Sequence, residues 1–122
     1  MTASILTVDD SASIRLTTRV ALSNAGYTVT EAVDGVDGIA KLQGAQFDLI
    51  VTDLNMPNMD GLTMIRELRK IPSCMGVPVI FLTTESDQEL KQEAKSAGAT
   101  GWLTKPFDPE SLVKIVRKVL GR

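Results

Sequence analysis

Short β-branched runs alternate along the chain with longer stretches of helical spacing. The runs are Ile5–Val8, Thr28–Val33, Leu49–Thr52, Val79–Thr83 and Gly101–Thr104, each long enough for a strand and too short for a helix. Between them, apolar residues recur at the intervals of a helix face. Ser11 or Ser13 can cap the first helix, whose buried face takes Ile14, Val20, Ala21 and Leu22 before Gly26 stops it. Asp34 can cap a second, carrying Val36, Ile39 and Ala40. A third follows Asp60-Gly61 with Leu62, Ile65 and Leu68 on one side. Ser86 or Asp87 caps a fourth, with Leu90, Ala94 and Ala97, ended by Gly98. Pro109 opens the last at a first-turn position, with Leu112, Ile115/Val116 and Val119/Leu120 inward.

Five successive β–α units predict an α/β fold, a parallel sheet with helices on both faces. The third and fifth runs are nearly all apolar, which predicts central positions for them. The pattern contains no repeat, low-complexity segment or linker and continues to the last residues. It therefore reads as one domain over 1–122 with no attached output domain.

Composition narrows the function. A net charge of −2 and a pI near 5.1 give no general attraction to nucleic acid or to an anionic membrane. Basic residues do gather at Lys114, Arg117, Lys118 and Arg122, where they complement the end of the last helix. Cys74 is the single cysteine, which excludes a disulfide framework and zinc spacing. No apolar stretch approaches the ~18–20 residues of a membrane span, and no charged-then-apolar leader opens the chain. A cytoplasmic monomer is expected. The chain contains no histidine, so serine–histidine and cysteine–histidine catalysis are excluded, as is a phosphohistidine on this chain.

In open parallel sheets, ligands bind beyond the carboxyl ends of the strands, where the winding reverses. Asp9, Asp10, Asp53, Thr83 and Lys105 all fall at or just after strand ends. Either Asp9 or Asp10 alone could be a helix cap, but only one of them can fill that place. Clustered carboxylates repel unless a cation joins them. Magnesium suits them, because it takes oxygen ligands, keeps several waters and uses one or two carboxylates beside a phosphate. Asp10 is expected as the more direct ligand, with Asp9 acting mainly through water. Asp53 then remains as a nucleophile able to form an acyl phosphate. Lys105 supplies a compact positive charge to the phosphoryl oxygens. Asn55 is placed to offer its backbone carbonyl to the metal, and the Thr83 hydroxyl can bond a phosphoryl oxygen. The Lys105-Pro106 bond is expected to be cis, an isomer that proline tolerates at modest cost.

The matching residues are Val8-Asp9-Asp10-Ser11, Thr52-Asp53-Leu54-Asn55-Met56-Pro57, Met59-Asp60-Gly61, Leu82-Thr83-Thr84-Glu85 and Lys105-Pro106-Phe107. In this order and spacing, from Ile5 to Leu120, the chain resembles the receiver domain of two-component response regulators, and most of all its stand-alone chemotaxis type. The resemblance implies a flavodoxin-like sheet of order 2-1-3-4-5, an order inherited from the family and not read from periodicity. It implies Asp53 as phosphoacceptor, Asp9, Asp10, Asp53 and the Asn55 carbonyl at Mg²⁺, and Thr83 and Lys105 as phosphoryl contacts. It also implies a switch in which Thr83 moves inward and an aromatic on the fifth strand fills the space. Trp102 stands there, where the family more often has tyrosine or phenylalanine. The output surface is then the fourth helix, fifth strand and fifth helix. The implied partners are a separate sensor histidine kinase of the CheA type and a target such as a flagellar switch component. Glu85 and Asn55 match the chemotaxis pattern at positions governing self-hydrolysis, which implies a short-lived acyl phosphate.

Three other readings compete. An aspartate-nucleophile phosphatase of the haloacid-dehalogenase kind needs an acid two residues after the nucleophile, and Asn55 cannot donate a proton there. A flavin or nucleotide carrier would cradle phosphate with backbone amides after the first strand, where Asp9-Asp10 repels it. A phosphorelay intermediate would share the pocket and differ only in its partner surface. Met56, Met59, Met64 and Met75 flank the third helix and are expected to fill the core and pack its loops.

Overall fold

The computed structural model describes residues 2–84 and 87–121. Five strands, β1 (Ser4–Val8), β2 (Thr28–Ala32), β3 (Leu49–Thr52), β4 (Val79–Thr83) and β5 (Gly101–Thr104), alternate with α1 (Ala12–Asn24), α2 (Gly35–Gly44), α3 (Gly61–Leu68), α4 (Gln88–Ser96) and α5 (Pro109–Leu120). A 3-10 turn, Pro72–Cys74, lies between α3 and β4. All pairings are parallel, and the strand order is β2-β1-β3-β4-β5.

Alternate residues of the strands enter different cores. Leu6, Val8, Ile50, Val79 and Phe81 pack with Leu42, Leu62, Met64, Ile65 and Leu68, beneath α2, α3 and α4. Ile5, Leu49, Val51, Ile80 and Leu82 pack with Leu22, Leu112 and Val116, beneath α1 and α5. Burial on both faces explains why these strands read as continuous apolar runs. It holds for β4, in which all five residues are buried, but not for β5, which the sequence pattern placed centrally. β5 is an edge strand, and its residues are half-buried or exposed. Gly101 and Trp102 gave that run an apolar appearance for other reasons. A Cβ at Gly101 would press on Ile115 at 3.0 Å, and Trp102 lies with its ring centroid 5.7 Å from that of Phe81.

Two helix faces also differ from the expectation. Val20 and Val36 are 48% and 51% exposed, and Ala40 is exposed as well. α1 turns Thr18 and Leu22 inward, and α2 turns Gly35, Gly38 and Leu42 inward. A β-branched residue one or two positions off the true stripe, as Val20 is from Leu22 and Val36 from Gly35, is enough to rotate a periodicity reading, and small residues on the buried face escape it. The glycines are needed because α2 lies close: a Cβ at Gly38 would sit 3.0 Å from the Met64 sulfur.

Caps set where the helices begin. The side chains of Ser11, Asp34, Asp60, Asp87 and Asp108 accept backbone N–H bonds at the starts of α1 to α5. Ser86 and Glu85, named above as a cap and as a hydrolysis-governing residue, lie outside the described residues, as does Arg122. Met64 is buried and Met56 and Met59 pack against the core, whereas Met75 is 65% exposed. No helix among the described residues is long and apolar enough to cross a membrane.

Candidate functional site: an acidic cup at the carboxyl rim

β1 connects to β2 on one side and pairs with β3 on the other, so the winding reverses at β1 and a crevice opens beyond its carboxyl end. The register aligns Val8 with Thr52, so the next residues, Asp9 and Asp53, emerge side by side. Asp53 N donates to Val8 O at 2.9 Å, and Asp9 N donates to Ala32 O at 3.2 Å, extending the ladder one residue past the strands. From the other side, Lys105 N donates to Thr83 O at 2.7 Å, which anchors the start of the β5–α5 loop. The Lys105-Pro106 peptide bond is cis.

Lys105 is the one cation that reaches both acids among the described ion pairs. Its Nζ lies 2.8 Å from Asp9 Oδ2 and 3.3 Å from Asp53 Oδ2. The remaining oxygens bond to backbone: Ser11 N donates to Asp9 Oδ1 at 2.9 Å, and Leu54 N donates to Asp53 Oδ1 at 2.7 Å. Burial pushes the Asp9 carboxyl above its ordinary value. The hydrogen bonds from Lys105 and Ser11 oppose that rise, and the Asp53 charge adds to it.

Asp10 completes the group. It is exposed, and carboxylate oxygens of Asp9, Asp10 and Asp53 lie within 4.8 Å of one another. Hard oxygen donors with a surplus of negative charge fit a divalent cation such as Mg²⁺, and the exposed side of the cup leaves room for its waters. Asn55 is exposed on the loop after Asp53. Thr83 is fully buried at the end of β4, and Trp102 is half-buried on β5, with Lys91 Nζ 5.8 Å from its ring centroid. The structure thus brings Asp9, Asp10, Asp53 and Lys105 together, with Thr83 at the end of β4 and Asn55 on the loop after Asp53.

Arg15 belongs to this neighbourhood and was missed in the sequence. Its guanidinium donates to Asp9 O at 2.5 Å and pairs with Glu31 at 3.6 Å, and Arg19 also meets Glu31, at 3.5 Å. Arg15 thereby holds the backbone of the acidic turn. The only signal for it was a basic residue one turn into the helix, which is also what a solvated surface residue looks like.

Residues 5–117 match the response regulator receiver domain model, and the chain belongs to that family. Its fold is that of the CheY-like proteins. The Vibrio cholerae chemotaxis protein CheY4 is 46% identical, with a TM-score of 0.94 over 98% of this chain and 99% of that one. The receiver domain of sensor histidine kinase PA1611 from Pseudomonas aeruginosa PAO1 is 29% identical with a TM-score of 0.91, covering 100% of each chain. That structure has a magnesium ion coordinated in its active site cleft. Among curated proteins, the DNA-binding dual master transcriptional regulator RpaA of Synechocystis is 39% identical over 97% of this chain and 49% of its own length. The chain spans about half the length of the curated relatives it matches.

Proposed function

We propose that Asp53 accepts a phosphoryl group from a phosphohistidine on a separate sensor histidine kinase, and that the modified chain signals through its α4–β5–α5 face. The observation that carries this reading is the placement of Asp53. Its carboxylate is nearly buried at the end of a central strand, within 4.8 Å of two further carboxylates and 3.3 Å from an ammonium. A structural role alone does not account for three clustered acids of which two share one ammonium.

Asp53 attacks phosphorus through a carboxylate oxygen, the phosphorus–nitrogen bond of the donor breaks, and the departing imidazole takes up a proton. Leu54 N–H orients the carboxylate by holding Oδ1. Lys105 is positioned to follow the new charge, since its Nζ already lies on Oδ2. Thr83 would bond a second phosphoryl oxygen with its hydroxyl. Mg²⁺ held by Asp9, Asp10, Asp53 and the Asn55 carbonyl would neutralise phosphoryl oxygens as charge shifts. Asp9 is hydrogen-bonded to Lys105 and would act on the metal ion mainly by its charge. The chain is thus a phosphoacceptor that turns over only its own acyl phosphate, in the cytoplasm.

The output follows from where Thr83 and Trp102 sit. Drawing the Thr83 hydroxyl toward the phosphoryl group would free space on its outer side, and Trp102, paired with Phe81 two residues before the Thr104 that faces Thr83, is the β5 aromatic that would turn toward it. Movement of that ring alters the face formed with α4 and α5. A flagellar switch component is the target we favour, because the likeness to CheY4 extends over nearly the whole of both chains. A second reading is a phosphorelay intermediate or the receiver unit of a longer transcriptional regulator. The 39% identity to a DNA-binding regulator twice as long favours it.

Incubation with acetyl phosphate and Mg²⁺, followed by intact mass measurement, tests the chemistry. A hydroxylamine-labile phosphoryl adduct is expected in the wild type and not in Asp53→Asn; an adduct retained by that variant would defeat the assignment. Trp102 emission during beryllofluoride titration tests the switch. A trace that stays flat while the adduct forms would remove Trp102 from it.

A further inference from the structure

The loop that follows Asp53 is tied down at a point that the phosphoryl chemistry does not use. Asp34 caps α2 with one carboxylate oxygen, Oδ1, which accepts from Asp37 N at 2.8 Å. Its other oxygen, Oδ2, accepts from the side-chain amide of Asn58, 2.8 Å away. The two residues are 24 positions apart in the chain. Asn58 sits at φ +69°, the sole non-glycine residue at positive φ among those described. Asparagine is one of the few side chains that adopts this conformation at small penalty, and it brings an amide with it.

The surrounding contacts keep this bond short. A Cβ at Gly35, the first residue of α2, would lie 2.6 Å from Met59 O and 2.9 Å from Met59 Cβ, so the helix start rests directly on the loop backbone. At the far end, Gly61 N donates to Leu54 O at 2.8 Å, and Met59 N donates to Pro57 O at 2.7 Å. Residues 54–61 therefore form a closed loop pinned at its base by its own backbone and at its tip by Asp34. Asn55 lies between these two pins.

We infer that Asp34 and Asn58 are positioning residues for the cation site: their hydrogen bond fixes the loop that presents the Asn55 carbonyl. This rests on the reading of Asn55 as a magnesium ligand given above. Neither side chain belongs to the acidic cup itself, which Asp9, Asp10, Asp53 and Lys105 form. Groups that orient metal ligands without touching the metal commonly change metal affinity by 10–100-fold when removed, and a pair acting through one bond is expected at the lower end.

Two substitutions remove the bond and keep the folding requirements at each position. Asp34→Ser retains a good helix cap but has no second oxygen for Asn58. Asn58→Gly accepts positive φ freely but has no amide. Magnesium binding is measured by isothermal titration calorimetry on the wild type, each single variant and the double variant, with urea midpoints taken in parallel. A dissociation constant raised roughly tenfold in each single variant, and no further in the double, supports the coupling. Faster hydrogen exchange at residues 55–59 in the variants would accompany it. Wild-type affinity in either single variant overturns the inference, as do losses that multiply in the double. A merely structural role would lower the urea midpoints and leave the dissociation constant unchanged. If the wild type itself binds no magnesium, the cation site falls and this coupling with it. If the wild type binds and the variants bind equally, only the coupling falls.

Discussion

Replacing Asp53 by asparagine is expected to stabilise the protein while it removes the proposed phosphoacceptor. Three carboxylates with oxygens within 4.8 Å of one another face one ammonium, which is 3.3 Å from Asp53 Oδ2. At an effective dielectric constant of ~20, like charges at the 4.8 Å outer limit of the cluster repel by about 3 kcal/mol, and opposite charges 3.3 Å apart attract by about 5 kcal/mol. Asp53 meets the repulsion twice and the attraction once, so neutralising it relieves about 1–2 kcal/mol. Packing is preserved, because an amide oxygen can keep the 2.7 Å bond from Leu54 N. For a domain of this size, that corresponds to a rise in melting midpoint of roughly 4–8 °C. Magnesium should act in the opposite order. At about a hundredfold excess over its dissociation constant it stabilises the wild type by about 2.7 kcal/mol, and the gain should shrink in the variant. Thermal melts of both proteins, with and without magnesium, measure all four quantities. A lower midpoint for Asp53→Asn, or equal magnesium shifts in both proteins, would refute the charge argument.

The Asp37 carboxyl is held below its ordinary value of 3.8, first by the hydrogen bond from Lys41 and then by Val33 N–H. The stability it contributes is complete above that value and is lost as pH falls through the lower folded value. Asp37→Asn should therefore lower the urea midpoint at pH ~7 and make no difference in strong acid; an effect of equal size at both would count against the pairing. Asp9 carries the opposite sign, since burial raises its carboxyl. The ionised form opposes folding at neutral pH and the opposition eases on acidification, so Asp9→Asn should raise the urea midpoint near neutrality and lose that gain as pH falls toward 3.8. A constant gain across the range would show that charge is not the cause. Gly61→Ala should destabilise by roughly 1–3 kcal/mol, because the added Cβ meets Asp53 O and lies 2.6 Å from Phe81 Cε1. It should also slow adduct formation on Asp53, and wild-type kinetics would mean that the loop yields without moving the acid.

The alternating pattern was enough to place five strands and five helices, because the strands are short β-branched runs and each helix began beside a capping side chain. Ser11 and Asp87 were each one of two candidates that the sequence left open, and Asp34 was legible as a cap from its position alone. Asp108 was not, since Pro109 drew attention to the first turn and hid the residue before it. The faces of α1 and α2 were less legible, because Thr18, Gly35 and Gly38 are buried without being strongly apolar. β5 looked central because it is short and apolar, yet it lies at the edge.

The acids and Lys105 could be found in the chain because chemistry at a strand end requires a particular residue type at a particular place, and periodicity marks that place. Local sequence determined, in this way, the elements, most of their caps and the acids and lysine that gather at the rim. Which oxygen meets which partner was decided only by the tertiary structure. Lys105 reaches Asp9 across 96 positions, Asn58 reaches Asp34 across 24, and Arg15 reaches the Asp9 carbonyl from the next helix. Such contacts depend on register and on how closely helices approach the sheet. Those are set by the packing of both cores together, and no short window of residues contains that information.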